Sequence, residues 1–427
     1  MFKTPRGNRL HIAIFGRRNT GKSSLINALT NQEIALVSDV PGTTTDPVFK
    51  TMEILPIGPV VIIDTAGLDD TGELGALRAK RSRAVFDQAD LALVVTDTRQ
   101  GISGFEEDIL RQCRDRDIPA IMVSNKSDLW TGREIRQIES ALPEGIPMIF
   151  TSALTGRGIE ELKNAIIRTA PSSWDERPII GDLLDPGDLA VLVVPIDHAA
   201  PKGRLILPQV QVLRDILDHD GQALVVKECE LKQALSLLKK KPKIVVTDSQ
   251  AFLKVDEDTP PDVLLTSFSI LFARYKGDLA TMVEGALAIE RLLPGDRILL
   301  AEGCTHHRVE DDIGTVKIPR WLRQAAGGEL SFEWVNGQQY PEDLSDFDLI
   351  VHCGACMRNR REMLSRISFA RRSGVPIVNY GICIAHLMGI LPRALAPFPE
   401  VMSRLREKRE TDKQEKLMIG KAEHENV

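Results

Sequence analysis

Residues 11–29, HIAIFGRRNTGKSSLINAL, decide the architecture of the first part of the chain. An apolar, β-branched run, His11–Phe15, ends on Gly16-Arg17-Arg18-Asn19-Thr20-Gly21-Lys22-Ser23, and an amphipathic helix, Ser24–Leu29, follows. Strand, G-x-x-x-x-G-K-S and helix in that order make a phosphate cradle. Gly16 and Gly21 let backbone N–H groups close around phosphate oxygens at a helix N-terminus, Lys22 places a charge on the β- and γ-phosphates, and the Ser23 hydroxyl ligates Mg2+. Ser24 opens the helix and belongs to the same contact set.

Three further stretches sit at the ends of apolar runs. Asp64-Thr65-Ala66-Gly67 closes Val60–Asp64, where the Asp64 carboxylate holds the Mg2+ shell and the Gly67 N–H senses the γ-phosphate. Asn125-Lys126-Ser127-Asp128 closes Ala120–Ser124; a carboxylate at Asp128 accepts guanine N1–H and N2–H together, a pair of donors that adenine lacks. Ser152-Ala153-Leu154 follows Met148–Thr151 and brings backbone N–H groups toward the guanine carbonyl. Their order, at strand ends where open α/β sheets bind ligands, predicts a GTP–Mg2+ site.

Alternation of short strands with helical periods continues through all 427 residues. It predicts an α/β fold class: a P-loop domain followed by two smaller α/β domains with mainly parallel sheets. The expected limits are 1–170 for the first domain, 171–187 for a proline-rich linker, 188–268 and 269–400 for the two smaller domains, and 401–427 for a charged tail read as an exposed helix. Within them, Gln209–His219 and Leu231–Lys240 read as helices and Ser269–Leu293 as one long helix. With 54 Lys+Arg against 60 Asp+Glu, the formal charge of −6 offers no general grip on nucleic acid or anionic lipid. No uninterrupted apolar run reaches the ~18 residues of a membrane span, and the opening MFKTPRGNRLHIAIFG has no signal-peptide core. A cytoplasmic protein is expected, without membrane or nucleic-acid partners.

Six cysteines in so long a chain make no disulfide framework. Cys304-Thr305-His306-His307 and His352-Cys353-Gly354-Ala355-Cys356 fall at or just beyond two predicted strand ends, Arg297–Ala301 and Leu349–His352, so Cys304, Cys353 and Cys356 converge on one edge. Gly354 is expected to allow the tight C-x-x-C turn, and Cys383 ends near the same edge. Spacing leaves two readings level: a structural zinc site completed by His306 or His352, or an iron–sulfur cluster on three thiolates with an exchangeable fourth ligand. Cys113 and Cys229 are expected as plain core residues.

Residues from about 10 to 170 resemble a small GTPase of the TrmE–Era type. The resemblance implies that Thr44, in Gly42-Thr43-Thr44, reaches Mg2+ in the triphosphate state. Leu68 stands where a Ras-like enzyme has its water-orienting glutamine, so hydrolysis is expected to be slow. Asn19 matches the asparagine that helps hold K+ in potassium-activated members, and Glu73 is a candidate for orienting water. The GTPase motifs, the middle α/β domain and the paired C-x-H and H-C-x-x-C motifs together resemble the FeFe-hydrogenase maturation GTPases, the HydF family, over essentially the full chain. That resemblance implies a 4Fe-4S cluster on Cys304, Cys353 and Cys356, a homodimer formed through the middle domain, and a scaffold or carrier. Such a carrier receives a diiron precursor made with radical-SAM maturases and delivers it to apo FeFe-hydrogenase. The alternative is an RNA- or ribosome-associated GTPase with a structural zinc site.

Overall fold

The computed structural model describes residues 5–30, 48–65, 83–99, 101–129, 145–171, 177–195, 205–303, 312–337 and 340–411. The chain divides into two compact units, Met1–Glu176 and Arg177–Val427.

In the first unit β1 (Leu10–Phe15), β2 (Val48–Ile54), β3 (Gly58–Asp64), β4 (Leu91–Asp97), β5 (Ala120–Asn125) and β6 (Met148–Phe150) form one sheet in the order β2-β3-β1-β4-β5-β6. Every position of β1 and β4 is buried, as a central parallel strand covered on both faces requires. Leu25 and Ile26 of α1 (Lys22–Thr30) and Leu162 and Ile166 of α3 (Ile159–Thr169) cover one face. Ile109 and Leu110 of α2 (Gly104–Asp115) cover the other. Each such side chain contributes about 1.5–3 kcal/mol on full burial. The sequence reading had no counterpart of β2, which runs antiparallel to β3 at the sheet edge.

The second unit contains two four-stranded, wholly parallel sheets. One, in the order β10-β9-β7-β8, uses β7 (Leu189–Val193), β8 (Gln222–Val226), β9 (Ile244–Thr247) and β10 (Leu264–Ser267). The other, β12-β11-β13-β14, uses β11 (Arg297–Glu302), β12 (Ser331–Asn336), β13 (Leu349–His352) and β14 (Ile377–Asn379). Its helices are α4 (Leu207–Asp218), α5 (Leu231–Leu237), α6 (Phe252–Asp258), α7 (Phe268–Lys276), α8 (Leu279–Ala286), α9 (Ile318–Ala326), α10 (Arg360–Arg372), α11 (Tyr380–Leu387) and α12 (Leu391–Ala394). One apolar core takes Leu192 and Val246 from the first sheet and Leu300 and Val351 from the second.

Three local expectations change. The stretch read as a linker joins this unit from Arg177 onward: Ile179 and Ile180 are buried, and the N–H groups of Ile179, Ile180 and Gly181 all donate to Asp215 Oδ2, at 3.0, 2.8 and 2.8 Å. The long helix expected at Ser269–Leu293 is broken at Gly277-Asp278, because Asp278 Oδ1 accepts from Thr281 N at 3.1 Å and caps a new helix. Residues 399–411 are helical but docked rather than wholly exposed, with Leu405 buried and Arg409 Nη2 donating to Glu290 Oε1 at 2.8 Å. Among the described residues no helix is long and apolar enough to cross a membrane.

Candidate nucleotide and cluster sites

The phosphate loop leaves β1 at Gly16, with φ +153°, where a Cβ would stand 2.3 Å from the Val95 carbonyl oxygen. Only glycine fits that approach. Lys22 Nζ curls back over its own loop, donating to Gly16 O at 2.5 Å and Arg17 O at 2.8 Å. Ser23 and Ser24 occupy the first turn of α1. Asp64 lies at the end of β3 in register with Ile14 of β1, so its buried carboxylate flanks the loop's entry. Arg17 turns away from the cradle: Nε donates to Oε1 of the fully buried Glu106 at 2.8 Å and Nη2 to Gly101 O at 3.1 Å.

Asn125 fastens the base side of the site to the phosphate side. Its Nδ2 donates to Thr20 O at 3.0 Å, and its Oδ1 accepts from Thr151 Oγ1 at 3.3 Å and Ala153 N at 3.1 Å. The Ala153 N–H expected to face guanine is thus bonded to Asn125. Lys126, at φ +62°, spans to Asn19 O at 2.5 Å and Asp97 Oδ2 at 2.9 Å. Burial works to raise the Asp97 pKa, but hydrogen bonds from Arg99 and Lys126 outweigh it and hold the carboxyl below the usual carboxylate range. Asp128 sits on the short turn Ser127–Leu129 with its side chain open to solvent, and Ser152 Oγ closes the neighbouring loop by accepting from Thr155 N at 3.2 Å. Asp97 and Glu106 were missed by the sequence reading; Asp97-Thr98-Arg99 at a strand end was the available signal. Thr44, Gly67, Leu68 and Glu73 lie outside the described residues.

At the second site the ends of β11 and β13 are joined sulfur to backbone. Ala301 pairs with His352 in the ladder, Cys353 N donates to Ala301 O at 2.8 Å, and Gly303 N donates to Cys353 Sγ at 2.9 Å. Gly303 immediately precedes Cys304, which with His306 and His307 lies outside the described residues. Burial pushes the Cys353 thiol pKa up, against the N–H groups of Ala355 and Gly303 that favour a thiolate. The left-handed residue of the C-x-x-C turn is Ala355, with φ +49°, and not Gly354, whose Cβ position is open.

His352 corrects its assignment as a ligand. Its Nδ1–H donates to Cys353 O at 2.7 Å and its Nε2 accepts from Arg366 Nη1 at 2.9 Å, so both nitrogens are committed within the protein. Burial, and then the Arg366 guanidinium, push its pKa down to about 3. Arg366 Nη2 also donates to Gly337 O at 2.8 Å and Glu362 Oε1 at 3.1 Å, while Arg358 donates to Glu362 Oε1 and Gly303 O, both at 2.7 Å. One row on α10 and the turn before it therefore holds the ends of three strands, β11, β12 and β13. Cys383 is fully buried in the core, its thiol pKa raised to about 12 by burial, and Cys229 is exposed rather than core. Among the described residues no group of three or more His, Cys, Asp or Glu side chains gathers as a metal site. Cys353 and Cys356 on one turn, with N–H donors at Cys353 Sγ, nonetheless fit a thiolate-bound cluster in their donor chemistry.

The first unit is a P-loop GTPase domain: residues 11–126 match the pattern of the 50S ribosome-binding GTPases. Residues 179–277 match the hydrogen maturase F dimerization domain and residues 280–397 the hydrogen maturase F tetramerization domain, together about half of the chain. The chain belongs to the hydrogen maturase F family, HydF, with a TrmE–Era-like GTPase domain at its N-terminal side.

Among characterised relatives, the tRNA modification GTPase MnmE of Nitrosomonas europaea is 38% identical over 162 residues, 38% of this chain and 35% of that protein. MnmE of Moorella thermoacetica is 40% identical over 161 residues, 37% of this chain and 34% of its own. The chain spans about a third of the length of these relatives. A solved structure of Aquifex aeolicus Era bound to GDP and aluminium fluoride has a TM-score of 0.35 at 20% identity, covering 58% of this chain and 99% of Era.

Proposed function

We propose that this chain hydrolyses GTP as a scaffold and carrier in hydrogenase maturation: it holds a 4Fe-4S cluster on Cys304, Cys353 and Cys356, accepts a diiron precursor made with radical-SAM maturases, and passes it to apo FeFe-hydrogenase. The observation that carries this reading is the Gly303 N to Cys353 Sγ bond of 2.9 Å, which puts the residue before Cys304 against the first cysteine of C-x-x-C, within a hydrogen maturase F domain. A bound cluster supplies four irons, three of them met by these thiolates; the fourth takes a non-thiolate ligand, with His306 a candidate.

In the GTPase unit Lys22 meets the β- and γ-phosphates, Ser23 and Thr44 hold Mg2+ with Asp64 behind them, and Gly67 senses the γ-phosphate. Glu73 orients water, and Asn125, Lys126, Asp128 and Ser152 frame guanine, with the Ala153 N–H holding Asn125 in place. Turnover is slow and stimulated by K+ at Asn19, so it should be faster in KCl than in matched NaCl, with the difference lost in Asn19→Ala. Apart from the linker, whose residues from Arg177 onward join the second unit, the domain limits given from sequence stand as proposals, as do the homodimer through residues 188–268 and a reducing, cytoplasmic setting for the free thiols. The likeness to MnmE is confined to the GTPase unit, whereas residues 179–397 match hydrogen maturase F domains, which favours this reading over the RNA-associated one.

The deciding experiment is anaerobic reconstitution followed by absorption spectroscopy and iron and sulfide analysis. A brown protein with about four irons per chain is expected. A colourless protein that retains one zinc instead favours the structural-zinc alternative.

A further inference from the structure

Lys276, the last residue of α7, is 2% exposed. Its Nζ donates to Cys356 O and to Arg358 O, each at 2.8 Å. The turn returns the grip, since Arg360 Nη1 donates to Tyr275 O at 2.7 Å and Gly277 O at 3.0 Å. The end of α7 exists because the chain breaks at Gly277-Asp278, so the helix stops where its terminal lysine meets the cysteine turn.

Nothing about holding a loop requires a charge; a neutral donor serves two carbonyls as well. Yet this is an ammonium group taken out of water, and among the described residues no carboxylate pairs with it. Burial at 2% exposure works against that charge, and the group is held against the backbone of the cysteine turn. A buried cation needs an anion, and Cys356, whose carbonyl it already holds, would carry a thiolate once a cluster is bound. Three thiolates outweigh the positive charge of an iron–sulfur core, and each electron added makes the site more negative.

We propose that Lys276 is a positioning residue of the cluster site, fixing the Cys356–Arg358 turn through two carbonyls and offsetting the negative charge of the cluster bound there. This rests on the cluster reading above and goes beyond it in naming the residue that sets the cluster's charge balance.

The test uses the full chain, reconstituted with iron and sulfide, as wild type and as Lys276→Gln, Lys276→Met and Lys276→Arg. Each is titrated with dithionite and the one-electron reduction is followed by EPR. Loss of the cation in the Gln and Met variants should lower the reduction equilibrium constant about tenfold, about 59 mV toward more negative potential for one electron. Lys276→Arg, which keeps the charge, should hold the wild-type midpoint. Gln keeps a donor for the two carbonyls, so iron content should fall further in Met than in Gln. An unchanged midpoint in a fully loaded Lys276→Gln overturns the inference and leaves the cluster reading standing. A wild type that takes up no iron–sulfur cluster overturns both.

Discussion

Gly21 and Asn125 approach so closely that a Cβ on Gly21 would stand 2.4 Å from Asn125 Nδ2. The two belong to different motifs, G-x-x-x-x-G-K-S and N-K-S-D, and the same amide reaches Thr20 O at 3.0 Å. The phosphate loop and the end of β5 are therefore one braced object, in which the position of the loop depends on the strand that carries Asn125.

Gly21→Ala should damage nucleotide binding without unfolding the domain. The backbone at Gly21 has φ +88°, strained for any residue with a Cβ, and the clash falls on Asn125. Strain of about 1–3 kcal/mol at such a position corresponds to a loss of roughly five- to 150-fold in GDP affinity, measured by calorimetry, with far-UV circular dichroism unchanged. Wild-type affinity would show that the brace is dispensable.

Asp128→Ala should weaken GTP and leave ATP binding as poor as before. The carboxylate is exposed on its turn, with no hydrogen-bond partner among the described residues, which leaves it open to a ligand's donors. Leaving two guanine donors unpaired costs about 1–3 kcal/mol. Equilibrium competition between GTP, ITP and ATP reads this directly: ITP, which lacks the exocyclic amine, should lose less on the mutation than GTP does.

The Arg17–Glu106 pair should stabilise the first unit more than a surface pair does. Glu106 is wholly buried, its Oε2 accepts from Ser103 N and Oγ at 2.9 and 2.6 Å, and its Oε1 takes Arg17 Nε at 2.8 Å. Arg17→Ala strands that carboxylate, a change worth about 3 kcal/mol after allowing for the partial exposure of the arginine. Adding Glu106→Gln should recover part of the loss, with a coupling energy of about 1–3 kcal/mol in a double-mutant cycle followed by chemical denaturation. Additive effects would mean the pair is decorative.

The fold of the phosphate loop and the parallel sheets was legible because their signals are local: buried strands read as unbroken apolar runs, and G-x-x-x-x-G-K-S carries its own geometry. Strand β2 escaped because, with Lys50, Thr51 and Glu53 interleaved, Val48–Ile54 forms no unbroken apolar run. The break in Ser269–Leu293 turns on one capping bond at Asp278, which hydrophobic period does not register. At the cluster site the cysteines stood out by spacing, but what surrounds them did not. Arg358, Glu362 and Arg366 are spaced i, i+4, i+8, the first on the turn that leads into the helix of the other two, yet that pattern reads equally as a solvated surface until the fold places His352 beneath it.

The H-C-x-x-C spelling invites His352 into the metal shell, but its Nδ1 carries the proton given to Cys353 O and its Nε2 lone pair is taken by Arg366, leaving none for iron. His352 is then a strut between β13 and α10, and Arg366 passes the load to Gly337 O and Glu362. Replacing it with Gln should leave Arg366 imperfectly satisfied and lower stability by about 1–3 kcal/mol, visible as a reduced melting temperature of the apo chain. The reduced cluster should meanwhile give the same nitrogen couplings in pulsed EPR as the wild type, since no coordinating imidazole has been removed. If a strong nitrogen coupling present in the wild type vanishes in His352→Gln, the ring must turn out of its bond to Arg366 when the cluster binds, and the strut reading is wrong.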